Sequence, residues 1–372
     1  MEPVTHILTG ACLARTGLNR RAAYATLTMA VAAEFPDIDT LWSLRGPVEG
    51  FQHHRGITHT FLGVPFEAAL LVAAVYGLHR WRLRRAKSNG KPLTAAPVRW
   101  VTLYFLALLA LLSHLLLDYT NNYGLRPFYP FNPHWYAASI VFIFDPLIFL
   151  LLLSAFLAPW IFGLVGSEVG ARKQPFRGRG WAVAALLGVA ACWGFREIQH
   201  EHAVQMELAQ NVAAPVAPTA DPDADTAPVY LSAQRALASP DPISPFRWSG
   251  VVDYGPVYQL TELNTRTSTL TPADNFVSKP DRSAALLAAE ASPLGRAYID
   301  WSPMPFVRAA QPDGKGNIAV TFQDPRFLGG FLAQMSESTG RSALTGVVTL
   351  DAQGNVIGES MDGRAEHGLS VR

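Results

Sequence analysis

Three groups of residues in this chain carry side chains that hold divalent cations. They are Asp37 and Asp39, the run His53-His54-Arg55-Gly56-Ile57-Thr58-His59-Thr60, and the pair His114 and Asp118. Each group borders a strongly apolar stretch. Ionisable side chains beside hydrocarbon are costly, so where they persist their default reading is functional. Imidazole and carboxylate together suit zinc foremost, with manganese or iron as alternatives. A divalent ion lowers the pKa of bound water toward about 7 and polarises an ester or phosphoryl oxygen.

The spacing supports convergence. His114 and Asp118 are four apart and share a helix face. Gly56 lets the backbone turn between His54 and His59, and Thr58 or Thr60 is positioned to cap the helix that follows. Asp37 and Asp39 flank Ile38 just past Pro36, which stops the preceding helix. The candidate metal ligands are His6, Asp37, His53, His54, His59, His114, Asp118 and Asp145. Asp39 is the candidate base orienting water, and Arg55 the candidate clamp for an anionic substrate group. Plainer readings stand beside these. The histidine run can be a polar loop, His114 and Asp118 can bond to each other, His6 can be a surface residue, and Asp145 before Pro146 can cap a helix. His79, His134, His200, His202 and His367 read as packed or interfacial, and Glu67, in mid-helix, has an open role.

The elements that must position these residues are apolar helices. Of 372 residues, 49% are hydrophobic and 16% charged, and the apolar residues are unevenly placed. Stretches 60–78, 100–117, 139–165 and 181–195 are each expected to cross a bilayer, the last being short. Two shorter segments, 4–16 and 22–35, read as a helical pair joined at Gly17-Leu18-Asn19-Arg20-Arg21. The basic residues between 80 and 99 and between 172 and 179, together with Arg15, Arg20 and Arg21, belong on the cytoplasmic side. That topology, chosen from charge alone, places every candidate ligand on the outer face. The net charge of +1 gives no general attraction to nucleic acid. Cys12 and Cys192 lie in apolar stretches and read as packed side chains. The start Met1-Glu2-Pro3-Val4-Thr5-His6 lacks the basic region of a secretory signal, so the first helix is expected to stay in the mature protein.

After Phe195 the composition changes. Residues 196–210 can continue as an amphipathic helix, and 211–228 form an Ala/Pro/Asp-rich linker. Strand-like alternation follows in 248–263, 317–322 and 346–350, with a helix over 281–291 and a hairpin turn at Asp351-Ala352-Gln353-Gly354-Asn355. The expected fold is mainly α: a polytopic helical membrane bundle carrying the metal site (residues 1–198), an amphipathic helix and linker (199–228), and a small α+β extramembrane domain (229–372) on the outer, periplasmic side.

The order and spacing of Thr5-His6, Gly10, Phe35-Pro36-Asp37-Ile38-Asp39, the 53–60 run, His114-Leu115-Leu116-Leu117-Asp118 and Phe144-Asp145-Pro146 resemble the YdjM-like inner-membrane proteins. These are described as metal-dependent hydrolases, and also as LexA-binding, inner-membrane-associated hydrolases. The likeness covers about the first 200 residues. It implies a helical membrane domain of the bacterial inner membrane and a hydrolase whose site draws on His6, Asp37, Asp39, His53, His54, Arg55, His59, His114, Asp118 and Asp145. The leading expectation is a membrane metal-dependent hydrolase acting on a lipid-linked or phosphoester substrate, with membrane lipids as partners and no direct nucleic-acid binding. The alternatives are a metal or proton transporter, or a scaffold with a structural metal site.

Overall fold

The computed structural model describes residues 1–89, 97–168, 178–213, 230–279, 282–329 and 344–366. Lys91, Arg172, Lys173, Arg177, Asp281, His367 and most of the expected linker lie outside them. The chain divides into two compact units, one of Met1–Thr40 and His54–Phe195, the other of Leu41–His53 and Arg196–Arg372.

The first unit is helical. Helices α1 (Pro3–Arg15) and α2 (Ala25–Ala32) form the expected pair. They pack closely because Gly10 has no side chain: a Cβ there would stand 2.3 Å from the Met29 carbonyl oxygen and 2.6 Å from Ala33 Cβ. Beyond α2, the chain passes into a 3-10 stretch, Phe35–Leu44, which carries Asp37 and Asp39. Helix α3 (Pro47–His53) belongs to the second unit. A 3-10 turn at Ile57–His59 leads to α4 (Gly63–Ser88), whose first amide donates to Thr60 Oγ1 at 2.9 Å.

Helix α5 (Trp100–Thr120) has the clearest two-faced pattern. Leu103, Leu106, Ala107, Ala110, Leu111, His114, Leu117 and Asp118 are buried at helical spacing, while Val101, Phe105, Leu109, Leu112 and Leu116 are exposed. The apolar stripe thus carries His114 and Asp118 into the core, against α1, α2 and α4.

Helix α6 (Pro146–Glu168) starts later than the expected span over 139–165. The reason is local. Asp145 Oδ1 accepts the Leu147 and Ile148 amides at 2.9 and 3.1 Å, and Pro146 fits the first helical turn. The preceding residues fold against the end of α5, where the Ile140 and Val141 amides both donate to the Thr120 carbonyl. Helix α7 (Arg179–Leu208) runs without a break past the composition change at Phe195, so the apolar stretch 181–195 and the amphipathic continuation after it are one helix.

Among the described residues, α5 and α7 are long and apolar enough to cross a membrane, and a third span arises if Pro47–His59 and Gly63–Ser88 count as one broken span. Four were expected. The second half of α4 is basic, with Arg80, Arg82, Arg84, Arg85 and Lys87, and the described apolar part of α6, Pro146–Phe162, is short.

The second unit is sheet-rich. A four-stranded antiparallel sheet runs in the order β3 (Arg235–Pro240), β4 (Arg247–Asp253), β5 (Val257–Asn264), β6 (Thr269–Ser278). The alternating stretch 248–263 is therefore a hairpin broken at Tyr254-Gly255-Pro256, with Gly255 at φ +93°. A five-stranded sheet has the order β11 (Arg364–Ala365), β10 (Val356–Met361), β9 (Gly346–Leu350), β8 (Ile318–Gln323), β7 (Phe306–Ala309). The β9–β10 turn is the expected Asp351–Asn355 hairpin, with Asp351 Oδ1 accepting the Gln353 and Asn355 amides. Strands β1 (Asn211–Ala213) and β2 (Tyr230–Ser232) pair separately. Helices α8 (Ala284–Glu290) and α9 (Pro293–Trp301) are capped by Ser283 and Ser292. The excursion 41–53 packs within this unit, with Phe51 stacked 5.5 Å from Tyr298 of α9.

Candidate metal centre

Three elements of the helical unit bring four donors to one point. The 3-10 stretch supplies Asp37, the turn before α4 supplies His59, and α5 supplies His114 and Asp118. One ligand atom from each lies within 4.8 Å of the others. A tetrahedron with bonds of about 2.0–2.1 Å has edges of about 3.3–3.4 Å. Five of the six donor–donor edges are close to that. His59 Nε2 is 3.1 Å from His114 Nε2, 3.2 Å from Asp37 Oδ1 and 3.5 Å from Asp118 Oδ2. His114 Nε2 is 3.7 Å from Asp37 Oδ1 and 3.5 Å from Asp118 Oδ2.

The outer hydrogen bonds fix which ring atoms are available. His114 Nδ1 lies 2.7 Å from the Ala33 carbonyl oxygen. A carbonyl only accepts, so this nitrogen carries the proton and Nε2 presents a lone pair. His59 Nδ1 lies 3.1 Å from Asp39 Oδ2, the arrangement in which a carboxylate orients a metal-ligating imidazole. With both Nδ1 protons committed outward, four acceptors face one another, and Asp118 Oδ2 is buried with no hydrogen-bond partner. Lone pairs at these separations repel unless a cation, or a proton on His59 Nε2, lies between them. The donor set therefore fits a divalent metal.

The other expected site residues fall into distinct places. Asp39 is buried: Oδ2 accepts from the Arg55 amide at 2.8 Å and from Thr58 Oγ1 at 3.0 Å, besides facing His59, and Oδ1 faces His54 Nδ1 at 3.1 Å. Burial opposes the charge on Asp39, but hydrogen bonds from His54 and His59 outweigh it and hold the carboxyl below the usual range. Asp37 behaves alike: burial raises it, while His59 and His114 bring it below the ordinary carboxylate value. Arg55, with φ +52°, is buried. Its Nη2 lies 2.9 Å from Asp118 Oδ1, and its Nη1 donates to the Gly124 carbonyl at 2.6 Å and to Asn121 Oδ1 at 3.3 Å. These contacts tie the guanidinium to Asp118, Gly124 and Asn121.

His6 is buried, stacks on the His114 ring at 3.9 Å, and places Nε2 3.5 Å from Asp118 Oδ1. The Met1 amino group meets the same Asp118 oxygen and lies 2.9 Å from His6 Nε2. Among the described residues the second donor grouping is Asp37, Asp39 and His54. His53, Asp145 and His6 stand outside both groupings. His53 stacks on Trp42 at 4.1 Å and pairs with Glu49 at 3.3 Å, and Asp145 caps α6.

Two residues escaped the sequence reading. Asn121 donates from Nδ2 to Asp118 Oδ1 at 3.2 Å and follows it by three positions on the same helix end, a spacing that signals it. Glu34, at the end of α2, has a carboxyl that burial, then Asp37, pushes up to about 8. Its place next to Phe35-Pro36-Asp37 was the available signal.

Residues 1–203 match the family described as YdjM inner membrane protein. A Bacillus subtilis (strain 168) protein described as "Uncharacterized protein YfhP" is 28% identical over 171 residues, 44% of this chain and 47% of that protein. The chain thus spans about half the length of this relative. No solved structure matches it. The matched region runs from α1 into α7 and contains every residue of both donor groupings, and the chain belongs to the YdjM inner membrane protein family.

Proposed function

We propose that this protein is an integral membrane metal-dependent hydrolase, acting on a lipid-linked or other phosphoester at the outer face of the cytoplasmic membrane. The observation that carries the reading is the convergence of His59 Nε2, His114 Nε2, Asp37 Oδ1 and Asp118 Oδ2 at near-tetrahedral separations, with both imidazole Nδ1 atoms already engaged. Zinc heads the candidates, with manganese and iron behind it. A divalent cation, when bound, supplies Lewis acidity, polarising the scissile group and making water a nucleophile near neutral pH.

The chain's own residues divide the remaining work. Asp39 keeps His59 in the ligating tautomer. Arg55 and Asn121 hold Asp118 Oδ1 and leave Oδ2 toward the centre. Asp37 is the partly exposed donor, 14% against 0% for the other three side chains. Access from that side suits a catalytic centre, because structural centres are closed. The outer-face assignment rests on the basic residues near 80–87 and 179, and it puts the second unit on the periplasmic side. The test is elemental analysis of detergent-purified protein followed by hydrolysis assays. Near-stoichiometric metal that is lost in His59→Ala, along with metal-dependent release of phosphate from a lipid phosphoester, supports the reading. Folded protein that never takes up metal overturns it.

A further inference from the structure

The geometry points to a second cation position beside the first, held by Asp37, Asp39 and His54, with Asp37 bridging the two. This rests on the metal-centre reading above. One donor atom from each of these residues lies within 4.8 Å of the others, and Asp37 belongs to both groupings. A carboxylate has two oxygens and about four lone-pair directions, so one side chain can serve two cations.

The two ends of Asp39 divide accordingly. Oδ2 receives the Arg55 amide, Thr58 Oγ1 and His59 Nδ1, which orients the first centre. Oδ1 points the other way and stands 3.1 Å from His54 Nδ1, a ligand–ligand edge of the same size as those around the first centre. Local backbone chemistry produces this. Pro36 ends the helical run and starts the 3-10 stretch that brings Asp37 and Asp39 together. The left-handed turn at Arg55 lets its amide reach Asp39 while His54, one residue earlier, meets the opposite oxygen.

Exposure separates the two positions. The side chains of His59, His114 and Asp118 are 0% exposed, whereas His54 is 27% and Asp37 14%. The second cation would sit on the accessible side, where substrate arrives. Paired cations about 3.5–4 Å apart suit in-line displacement at phosphorus, clamping both the attacking and the leaving oxygen. The pair would suit a phosphate ester, whose attacking and leaving oxygens two cations can hold at once.

The test uses the full-length protein in detergent, loaded with manganese and freed of excess ion. Wild type is expected to hold two equivalents per chain and to give the electron paramagnetic resonance signal of an exchange-coupled pair. His54→Ala is expected to hold one equivalent with an uncoupled signal, and His54→Gln, which keeps a polar side chain, guards against a folding artefact by giving the same count. One equivalent in wild type and in both variants overturns the second position and leaves the first centre standing. Two uncoupled equivalents, or two that persist in both variants, overturn the shared site. No bound manganese in wild type removes both this inference and the reading it rests on. Inorganic phosphate titrated into the loaded proteins is expected to bind about tenfold or more tightly to wild type than to His54→Ala; equal or absent binding overturns the phosphate-ester assignment.

Discussion

Gly10→Ala should weaken metal binding although Gly10 touches no metal ligand. The added Cβ would lie 2.6 Å from Ala33 Cβ and 2.3 Å from the Met29 carbonyl oxygen. Carbon atoms in contact prefer about 3.5–4.0 Å, so α1 and α2 must separate by about 1 Å. The Ala33 carbonyl accepts His114 Nδ1 at 2.7 Å. A shift of about 1 Å taken up by α2 carries that distance past hydrogen-bonding range. His114 then loses the partner that fixes its tautomer, and the loss of such a partner lowers metal affinity by about 10–100-fold. Overpacking should also cost about 1–3 kcal/mol of stability. The assay is competition against a chromophoric chelator in detergent, with thermal unfolding of the chelated protein run in parallel. A folded Gly10→Ala protein with wild-type metal affinity would refute the link from helix packing to ligand orientation.

Further outcomes follow from the same geometry. Chelation should lower the melting temperature of wild type, with zinc or manganese restoring it, because four acceptors lose the cation between them; ligand in about 100-fold excess over Kd contributes about 2.7 kcal/mol. The chelator effect should vanish in His59→Ala and in His114→Ala. Arg55→Lys should lower metal affinity despite the retained charge, since an ammonium does not span Asp118, Gly124 and Asn121 as the guanidinium does; titration with zinc reads this directly. Glu67→Gln should leave metal content intact, and a transporter would instead lose metal uptake into proteoliposomes. In the sheet-rich unit, burial raises the Asp253 carboxyl, but Lys279 at 2.6 Å, Gly255 and Arg235 more than offset this and hold it low. A depressed carboxylate contributes stability above its unfolded pKa of about 3.9 and loses it as pH falls through the folded value. Denaturant unfolding followed by tryptophan fluorescence should therefore show wild type more stable than Asp253→Asn at neutral pH, with the gap closing as pH falls below about 4; a gap that does not change with pH would contradict this.

The donor residues were legible in the sequence because their chemistry is out of place: a carboxylate or imidazole next to a leucine run has few other reasons to be there. His114 and Asp118 carried their own geometry, four apart on a helix whose buried stripe includes both. What spacing could not tell was how the neighbours of His59 divide. His53 and His54 are adjacent, yet His53 stacks on Trp42 while His54 faces Asp39. That split depends on the 41–53 excursion packing through Phe51 against Tyr298 and Trp301, far along the chain. The hydrogen bond from Arg55 to the backbone carbonyl of Gly124 is a tertiary contact with no local signature. The span count suffered from another cause. Apolar content over 139–165 is continuous, and only the Asp145-Pro146 cap shows where the helix begins. Ser292-Pro293 is an equally plain helix start, passed over in a polar stretch.

Diffraction from crystals of the metal-loaded protein, with anomalous data collected across the zinc, manganese and iron edges, addresses the central claim most directly. An anomalous peak about 2.0–2.2 Å from His59 Nε2, His114 Nε2 and oxygens of Asp37 and Asp118 is the result expected. Well-ordered His59 and His114 rings whose Nε2 atoms diverge, with no peak between them, would contradict it.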